Sequence, residues 1–422
     1  MSVYDDLVWR GLVYQASDEA KLREYLAAPG AVMYCGFDPT GASLHVGHLI
    51  PMLNLVRFKK AGLSPIFLMG GGTGMIGDPS GKDQERVLLT REKLLEHTAC
   101  IEQQVQAFCE RNTGERAVTE DNYRWIGELS AIELLRDVGK HFTVNWMLAK
   151  DSVKNRIARE EVGISYTEFS YMILQAYDFY QLYLQRDCRL QIGGSDQWGN
   201  ITAGCEYIRR KAQGEAFALT FPLITTASGK KFGKSEKGAI YLNPEWTSPY
   251  AFYQYFFNTD DLDVIKFLKY FTFLNAEEIA ALEAELAANP GARVAQRTLA
   301  REVTTLIHGE EELAKVEAAS QALFGTGDIR DVDGKTLKAA LESAPSIQYD
   351  PGQVPDLPQM LVDLSLCPSK GQARKDIRAG GVYVNNERVQ DEAYAPGAGE
   401  FLAGGVLLLR KGKKNYGLVV AE

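Results

Sequence analysis

Residues 34–48 read YCGFDPTGASLHVGH, and this stretch decides the fold. An apolar run over 31–37 predicts a buried strand, which ends at the turn formed by residues 38–41. The chain then enters a helix near Gly47 or His48, where Pro51 suits the first turn and Gly62 is a plausible stop. Ligands of open parallel sheets bind beyond the carboxyl ends of the strands, which is where this turn lies.

The turn places two histidines, His45 and His48, at a helix N-terminus. Free backbone N–H groups and the helix dipole favour anions there. His45 and Thr40 could donate hydrogen bonds to phosphate oxygens, and Gly47 leaves room for a flat ring to pack on the backbone. The alternative is a pair of surface histidines near a helix start.

A second polar segment, KKFGKS at residues 230–235, follows an apolar stretch and a polar turn. Lysine carries a compact charge on a flexible stem, so three lysines around a glycine suit a loop that moves with a polyphosphate. Taken alone, such a segment is ordinarily a basic surface turn.

The pattern along the chain predicts an α/β fold with a doubly wound parallel sheet of the Rossmann type. Strands are expected at 31–37, 64–70 and 189–193, with a helical insertion at about 90–185. An all-α domain and a small α+β module should follow. The expected divisions are a catalytic domain at 1–225, the KFGKS loop and connection at 226–248, helices at 249–324, a linker with one helix (334–342) at 325–352, and the module at 353–422.

Composition narrows the class of protein. The 422 residues are too many for one core, and 45% hydrophobic with 24% charged residues is ordinary for a globular protein. No apolar run approaches the ~20 residues that span a bilayer, and the acidic N-terminus is unlike a signal peptide. Six scattered cysteines without a Cys-x-x-Cys pair argue against a zinc site and disulfides, so a cytoplasmic location is expected.

The two polar segments together resemble the paired signatures of class I aminoacyl-tRNA synthetases, and KFGKS is the form seen in bacterial-type tyrosyl-tRNA synthetases. Residues 167–178 (TEFSYMILQAYD) and 190–200 (LQIGGSDQWGN) extend the resemblance, which covers essentially the whole chain. It implies activation of L-tyrosine with ATP and Mg²⁺ as co-substrate, followed by transfer to tRNA(Tyr). It also implies a homodimer without a membrane segment, a tightly bound prosthetic group or a protein metal site.

The resemblance also assigns the amino-acid pocket. Tyr171, Gln175 and Asp178 lie at i, i+4 and i+7, on one face of a helix. Tyr34 and Asp178 would bind the phenolic hydroxyl of the substrate, and Tyr171, Gln175 and Asp78 would hold its ammonium group. The full tyrosine set is Tyr34, Asp78, Tyr171, Gln175, Asp178 and Gln197.

The nucleotide and catalytic residues follow in the same way. The ATP set is Gly36, Asp38, His45, Gly47, His48, Gln191, Gly193, Asp196 and Lys234. The residues that would stabilise charge during the reaction are Thr40, His45, His48, Lys82, Arg86, Lys231, Lys234 and Ser235. The alternative for Lys82 and Arg86 is a pair of solvated charges.

The net charge is −9, yet residues 353–422 carry nine Lys and Arg against eight Asp and Glu. Residues 368–385 resemble a small RNA-binding module, in which Lys370, Arg374 and Arg378 would form one cationic helix face. The expected RNA contacts are Lys370, Arg374, Lys375, Arg378, Lys411, Lys413 and Lys414, and the helices at 249–324 are expected to hold the anticodon arm. Clusters of this kind can also be merely solvated.

Three rival functions remain open at this point. A tryptophanyl-tRNA synthetase shares the fold but should lack the Tyr34 and Asp178 pair and the C-terminal module. A non-catalytic RNA-binding relative should have lost His45, His48, Lys231 or Lys234. A small-molecule adenylyltransferase would have no use for the KFGKS loop or an RNA-binding tail.

Overall fold

The computed structural model describes the chain except residues 81–87, 151–152, 155–156, 158–162, 228, 230–231, 236–237, 325–326, 343, 351–352, 413–414 and 422. The chain forms two compact units. The first contains Met1–Asn243 and Thr259–Leu299, and the second contains Pro244–Asn258 and Ala300–Glu422. No helix among the described residues is long and apolar enough to cross a membrane.

The first unit is built on a six-stranded sheet of order β1-β6-β5-β2-β3-β4. Neighbours from β6 to β4 are parallel, and β1 is antiparallel to β6. The chain runs outward from β2 through β3 and β4, then returns to β5 on the other side of β2, which makes the sheet doubly wound. The strands are β1 (Gln15–Ala16), β2 (Val32–Phe37), β3 (Ser64–Met69), β4 (Val118–Asp121), β5 (Cys188–Gly194) and β6 (Phe217–Phe221).

Helices accompany this sheet, because β2, β3, β5 and β6 are apolar runs that must be covered on both faces. The longer helices of the unit are Val3–Arg10, Glu19–Ala27, Leu49–Lys60, Arg91–Thr113, Tyr166–Arg186, Trp198–Ala212, Asp261–Phe271 and Ala276–Ala288. Short helices occupy Tyr123–Ile126, Ala131–Glu133 and Val144–Leu148, a π-helix spans Leu134–Val138, and Val46–His48 is a 3₁₀ turn. Lys234–Ser235 (β7) and Gly238–Ala239 (β8) form an antiparallel hairpin.

The expected helical insertion at 90–185 needs a correction, because it contains a strand of the main sheet. β4 pairs in parallel with β3 through Ile66 to Met69. Its sequence, VTED, has no apolar run, and only Glu120 within it is buried. An edge strand has a partner on one side only and can be short and polar, so its sequence carries no strand signal.

A cluster of buried charges joins the helix Asp261–Phe271 to the first unit. Arg10 donates to the carbonyls of Lys269, Thr272 and Leu274, and Arg57 donates to that of Thr272. Asp6 pairs with both arginines, at 2.9 and 3.2 Å. Burial lowers the pKa of Arg57 to about 9. Through these bonds the guanidinium groups of Arg10 and Arg57 hold the carbonyl groups at and beyond the end of this helix.

The second unit contains helices and a five-stranded sheet of order β11-β10-β12-β13-β9. Its strands are β9 (Ser346–Tyr349), β10 (Val382–Val384), β11 (Glu387–Val389), β12 (Val406–Lys411) and β13 (Asn415–Ala421). Its helices are Pro249–Phe257, Glu310–Phe324, Gly334–Ala340, Leu357–Asp363 and Lys370–Arg378, and Val294–His308 crosses from the first unit.

The expected divisions at 249, 324 and 352 do not coincide with these units. The helices between 249 and 324 are shared between the two, since Arg10 and Arg57 hold Asp261–Phe271 in the first. The predicted linker contributes β9, which pairs in parallel with β13. Alternate residues of β9 are exposed, so its two half-buried side chains gave too weak a pattern to be recognised.

Candidate active site

The polar residues of the first unit gather where β2, β3, β4 and β5 end. Asp38 follows β2, Asp78 follows β3, Asn122 follows β4 and Asp196 follows β5. The direction of the winding changes between β2 and β5, whose register pairs Tyr34 with Gln191. Ligands of doubly wound sheets bind at such a switch point, which the turn at 38–48 adjoins as expected.

Tyr34 and Asp178 form the deep end of this site. Tyr34 lies on β2 and is fully buried, and its hydroxyl makes no hydrogen bond to any described residue. Asp178 lies on the helix Tyr166–Arg186 and is only 2% exposed. Burial raises the pKa of Tyr34 well above its ordinary value, and the Asp178 charge raises it further. A buried hydroxyl without a partner is costly, so a ligand group that pairs with it would be favoured.

The Asp178 carboxylate is held by two residues that sequence reasoning missed. Its oxygens accept hydrogen bonds from the Asn122 side chain (2.8 Å) and the Trp125 indole N–H (2.7 Å). Burial nevertheless raises the pKa of Asp178 to about 8, because desolvation outweighs these two bonds. Both partners follow β4, the strand that the sequence did not reveal.

A hydrogen-bond chain continues from Asn122 towards β2. The Asn122 amide donates to the Thr73 hydroxyl, which donates to Asp38, both at 2.8 Å. The Tyr171 hydroxyl donates to the other Asp38 oxygen at 2.9 Å. Asp38, expected among the ATP contacts, therefore orients Tyr171, which was expected to bind tyrosine.

The other expected tyrosine-binding residues form a second polar cluster. Gln197 donates to Asp78 at 2.6 Å, and Gln175 donates to Gln197 at 3.3 Å. Asn200, also missed, donates from its side chain to Gln175 at 3.2 Å. The Asp78 carboxylate accepts from Gln197 and from the Ser80 N–H, and its negative charge can bind a cation such as an ammonium group.

The histidine turn is built as the sequence predicted. His45 caps the 3₁₀ turn Val46–His48, and His48 precedes the helix Leu49–Lys60. Backbone N–H groups donate to Nδ1 of both rings, from Gly47 to His45 and from His45 to His48, each at 3.1 Å. In the neutral rings the proton is therefore on Nε2, which can donate to an anion. A Cβ at Gly47 would lie 2.7 Å from the His45 ring, so it is the His45 imidazole that packs on this backbone.

The KFGKS segment meets this turn in space. Val46 donates to the carbonyl of Ile240 at 2.9 Å, and Leu242 donates to that of Leu44 at 2.8 Å. A Cβ at Gly233 would lie 2.9 Å from Val46, and this glycine has a φ of +82°. Phe232 anchors the loop by packing on Phe267 and Phe271. The backbones of Lys234 and Ser235 thus belong to a hairpin beside His45, and Lys231 lies outside the described residues.

The expected nucleotide-binding glycines behave differently from one another. Gly36 is exposed on β2, and no atom lies within 4 Å of where its Cβ would be, so a ligand could approach the backbone there. A Cβ at Gly193 would instead meet Ile201 and Gln197 at 3.1 and 3.2 Å, so Gly193 packs against protein side chains on that side.

Three further expected contacts lie at this edge of the sheet. Asp196 is exposed after β5, and its charge adds to the burial that raises the pKa of the Cys35 thiol to about 12. Gln191 is buried with a side-chain oxygen that has no partner among the described residues. Thr40 is exposed in the turn. Lys82 and Arg86 lie outside the described residues.

Four of the residues expected to bind RNA share one helix of the second unit. Lys370, Arg374, Lys375 and Arg378 are exposed on Lys370–Arg378, while Ala373 and Ile377 are buried beneath them. Lys411 lies elsewhere: its ammonium contacts Asp376 (2.8 Å), the Leu366 carbonyl (3.0 Å) and the Cys367 sulfur (3.4 Å). Its charge is therefore used within the unit. Lys413 and Lys414 are outside the described part of the chain.

Comparison with known proteins gives two family matches. Residues 29–325 match the family described as tRNA synthetases class I (W and Y). Residues 336–419 match the tyrosine–tRNA ligase SYY-like C-terminal domain. A tyrosine–tRNA ligase from Geobacillus stearothermophilus is 52% identical over 421 residues, which cover 99% of both chains. Tyrosine–tRNA ligase 2 from Enterococcus faecalis is 50% identical over 417 residues, covering 99% of this chain and 98% of the relative.

Solved structures give a consistent result. A C-terminally truncated mitochondrial tyrosyl-tRNA synthetase from Aspergillus nidulans superposes with a TM-score of 0.69 and 32% identity, covering 76% of this chain and 94% of the other. A tryptophanyl-tRNA synthetase from Encephalitozoon cuniculi has a TM-score of 0.54 at 12% identity, covering 74% of this chain and 87% of the other. The latter similarity concerns the fold alone.

Proposed function

Since the chain belongs to the tyrosine–tRNA ligases of class I, it catalyses the ATP-dependent attachment of tyrosine to tRNA. We propose that the activation of tyrosine and its transfer to tRNA both occur at the carboxyl ends of β2 and β5. One observation carries the assignment of this site. The buried hydroxyl of Tyr34, without a partner among the described residues, lies close to the buried carboxylate of Asp178.

The substrate phenol completes this arrangement. Its O–H donates to Asp178, and its oxygen accepts from the Tyr34 hydroxyl, so the unpaired group gains a partner. Phenylalanine would leave the buried Tyr34 hydroxyl without a partner, at a cost of roughly 1–3 kcal/mol, and would offer Asp178 no donor beyond Asn122 and Trp125. The cluster of Asp78, Tyr171, Gln175 and Gln197 holds the ammonium group, and this leaves the substrate carboxylate free to react.

ATP lies over the carboxyl ends of β2 and β5. Gly36 provides close access to the backbone, and the Asp196 carboxylate suits the ribose hydroxyls. The phosphates accept hydrogen bonds from the Nε2–H groups of His45 and His48 and from the Thr40 hydroxyl. The remaining nucleotide contacts are Asp38, Gly47, Gln191, Gly193 and Lys234.

In the first step the tyrosine carboxylate attacks the α-phosphorus of ATP, and the bond to pyrophosphate breaks. A carboxylate is already a nucleophile, so the reaction needs positioning and charge stabilisation rather than a general base. Two groups of residues stabilise the charges on the phosphoryl group and on pyrophosphate. One group is Thr40, His45 and His48, and the other is Lys231, Lys234 and Ser235, together with Lys82 and Arg86. Magnesium accompanies ATP on its phosphates.

In the second step a ribose hydroxyl at the 3′ end of the tRNA attacks the adenylate carbonyl, and AMP leaves. The exposed face formed by Lys370, Arg374, Lys375 and Arg378 binds the tRNA backbone in this proposal. On the resemblance alone, the helices between 249 and 324 hold the anticodon arm, and the enzyme works in the cytoplasm.

A homodimer is the proposed assembly. Several apolar side chains of the region 131–166 are exposed although they lie close together in sequence: Ile132 (68%), Leu135 (57%), Val144 (60%) and Tyr166 (72%). Single exposed apolar residues are common, but a group of them marks an interaction surface. These exposed apolar side chains support pairing of two chains through the helical insertion.

ATP–pyrophosphate exchange with single amino acids tests the assignment. Tyrosine should support exchange, and phenylalanine and tryptophan should not, because neither can satisfy both Tyr34 and Asp178. Asp178→Asn should weaken the discrimination against phenylalanine or abolish exchange. Exchange with tryptophan alone, or unchanged kinetics of Asp178→Asn with both tyrosine and phenylalanine, would refute the assigned site.

A further inference from the structure

The side chain of Gln104 binds the turn that carries His45. It lies on the helix Arg91–Thr113, well away in sequence from either signature. Its Oε1 accepts from the N–H of Leu44 at 3.1 Å, and its Nε2 donates to the carbonyl of Ala42 at 3.3 Å. One amide therefore pairs with the backbone on both sides of Ser43, as a neighbouring β-strand would.

The other edge of the same turn pairs with the segment that follows the KFGKS loop. The carbonyl of Leu44 accepts from Leu242 at 2.8 Å, and the Ser43 hydroxyl accepts from Asn243 at 3.2 Å. Leu44 thus lies between Gln104 on one side and Leu242 on the other. Any displacement of residues 42–44 would move both His45 and the backbone that pairs with the loop.

We propose that Gln104 is a positioning residue for tyrosine activation, which fixes the register between the histidine turn and the hairpin of Lys234 and Ser235. This rests on the proposed roles of His45 and Lys234. Gln104 is half-buried and binds this one turn, so we expect the fold to survive its loss. The phosphate-binding groups, however, would lose their exact placement without Gln104, and a shift of about 1 Å can cost on the order of 100-fold in rate.

The helix offers a matched control two residues further on. Gln106 makes the same two-point contact, accepting from the N–H of Ala117 at 2.9 Å and donating to its carbonyl at 3.2 Å. Both glutamines are half-buried, but Ala117 precedes β4 at the opposite edge of the sheet from the site. Gln104→Met and Gln106→Met therefore remove equivalent bonds from different places.

The test is ATP–pyrophosphate exchange with tyrosine, at saturating and limiting concentrations. We expect Gln104→Met to lower kcat by about tenfold or more while the KM for tyrosine stays within about twofold, because the tyrosine pocket lies on other elements. Gln106→Met should leave kcat within about twofold, with a similar loss of melting temperature. Gln104→Glu keeps the acceptor and loses the donor, so its kcat should fall between those of the wild type and Gln104→Met.

An unchanged kcat in Gln104→Met, an equal loss in Gln106→Met, or a rise in the tyrosine KM alone would overturn the inference. If Gln104→Met does not fold, Gln104→Glu decides the matter by the same comparison of kcat with KM. Failure of the wild-type enzyme to exchange with tyrosine would instead refute the proposed function.

Discussion

At the scale of single residues, Asp178 gives the site a measurable pH dependence. Burial raises its pKa to about 8, whereas the unfolded chain should titrate this group near its ordinary value of about 3.9. The folded state therefore holds the proton more tightly. The stability that this provides is fully present below about pH 4 and is lost as the pH rises through about 8. Asp38 and Asp121, which face Asp178, raise its pKa further.

Asp178→Asn removes this titration. The free energy of unfolding of the variant, relative to wild type, should rise by on the order of a few kcal/mol between pH 5 and pH 8. Urea unfolding of the ligand-free proteins at both pH values measures the difference. Asp187→Asn, at the exposed end of the same helix, is the control and should give the same difference at both pH values. Parallel pH profiles for Asp178→Asn and wild type would contradict the prediction.

Residues on one element could be predicted from their spacing, and residues that meet through the tertiary fold could not. Tyr171, Gln175 and Asp178 share a helix face, so the sequence alone places them together. Asn122 and Trp125 contact Asp178 only because β4 joins the sheet beside β3. A polar Asn before a short helix resembles an ordinary cap, and no pattern in the sequence marks it as a partner of a carboxylate 56 positions away.

At the scale of elements, strands that are buried on both faces were predicted nearly to the residue. Val32–Phe37 and Ser64–Met69 are continuous apolar runs, as central parallel strands must be. The edge strands β4 and β9 escaped because they are short and only partly covered. The pairing of residues 240–242 with residues 44–46 also lay beyond prediction, since it joins segments that are far apart in the sequence.

The helical insertion makes a prediction of its own. If the chain forms the proposed homodimer, Ile132→Asp with Val144→Asp should convert it into a monomer, because each places a charge in the proposed apolar interface. Sedimentation equilibrium should give about twice 46.8 kDa for the wild type and about that mass for the double variant. The control Leu184→Asp, exposed to a similar degree but at the opposite end of the helix from Tyr166, should remain dimeric. A monomeric wild type, or a dimeric double variant, would exclude this surface.

At the scale of the whole molecule, the proposal that the first unit activates tyrosine and the second binds tRNA can be tested. Arg374→Glu with Lys375→Glu should raise the KM for tRNA by about tenfold or more and reduce the salt dependence of binding, because phosphate contacts release counterions. Tyrosine activation, measured as ATP–pyrophosphate exchange, should not change. The control Lys335→Glu, on an exposed helix of the same unit, should leave both reactions intact. Equal losses in both reactions would show that the double variant damages the fold.

The order of the units along the chain could not be predicted in full. The sequence indicated a helical region after the sheet, but periodicity cannot tell which unit a helix packs against. Asp261–Phe271 belongs with the sheet because Arg10 and Arg57 bind the carbonyls at its end, and both arginines come from distant parts of the sequence.

That arrangement also determines how the amino terminus can be handled in the laboratory. Deleting the first ten residues would remove the Arg10 donor from the carbonyls of Lys269, Thr272 and Leu274, of which only Thr272 keeps the bond from Arg57. It would also leave the buried Arg57 without its counterion. An affinity tag fused before Met1 needs a spacer so that Val3–Arg10 can form its helix. The N-terminal helix Val3–Arg10 therefore stabilises the helix Asp261–Phe271, against which Phe232 of the KFGKS loop packs.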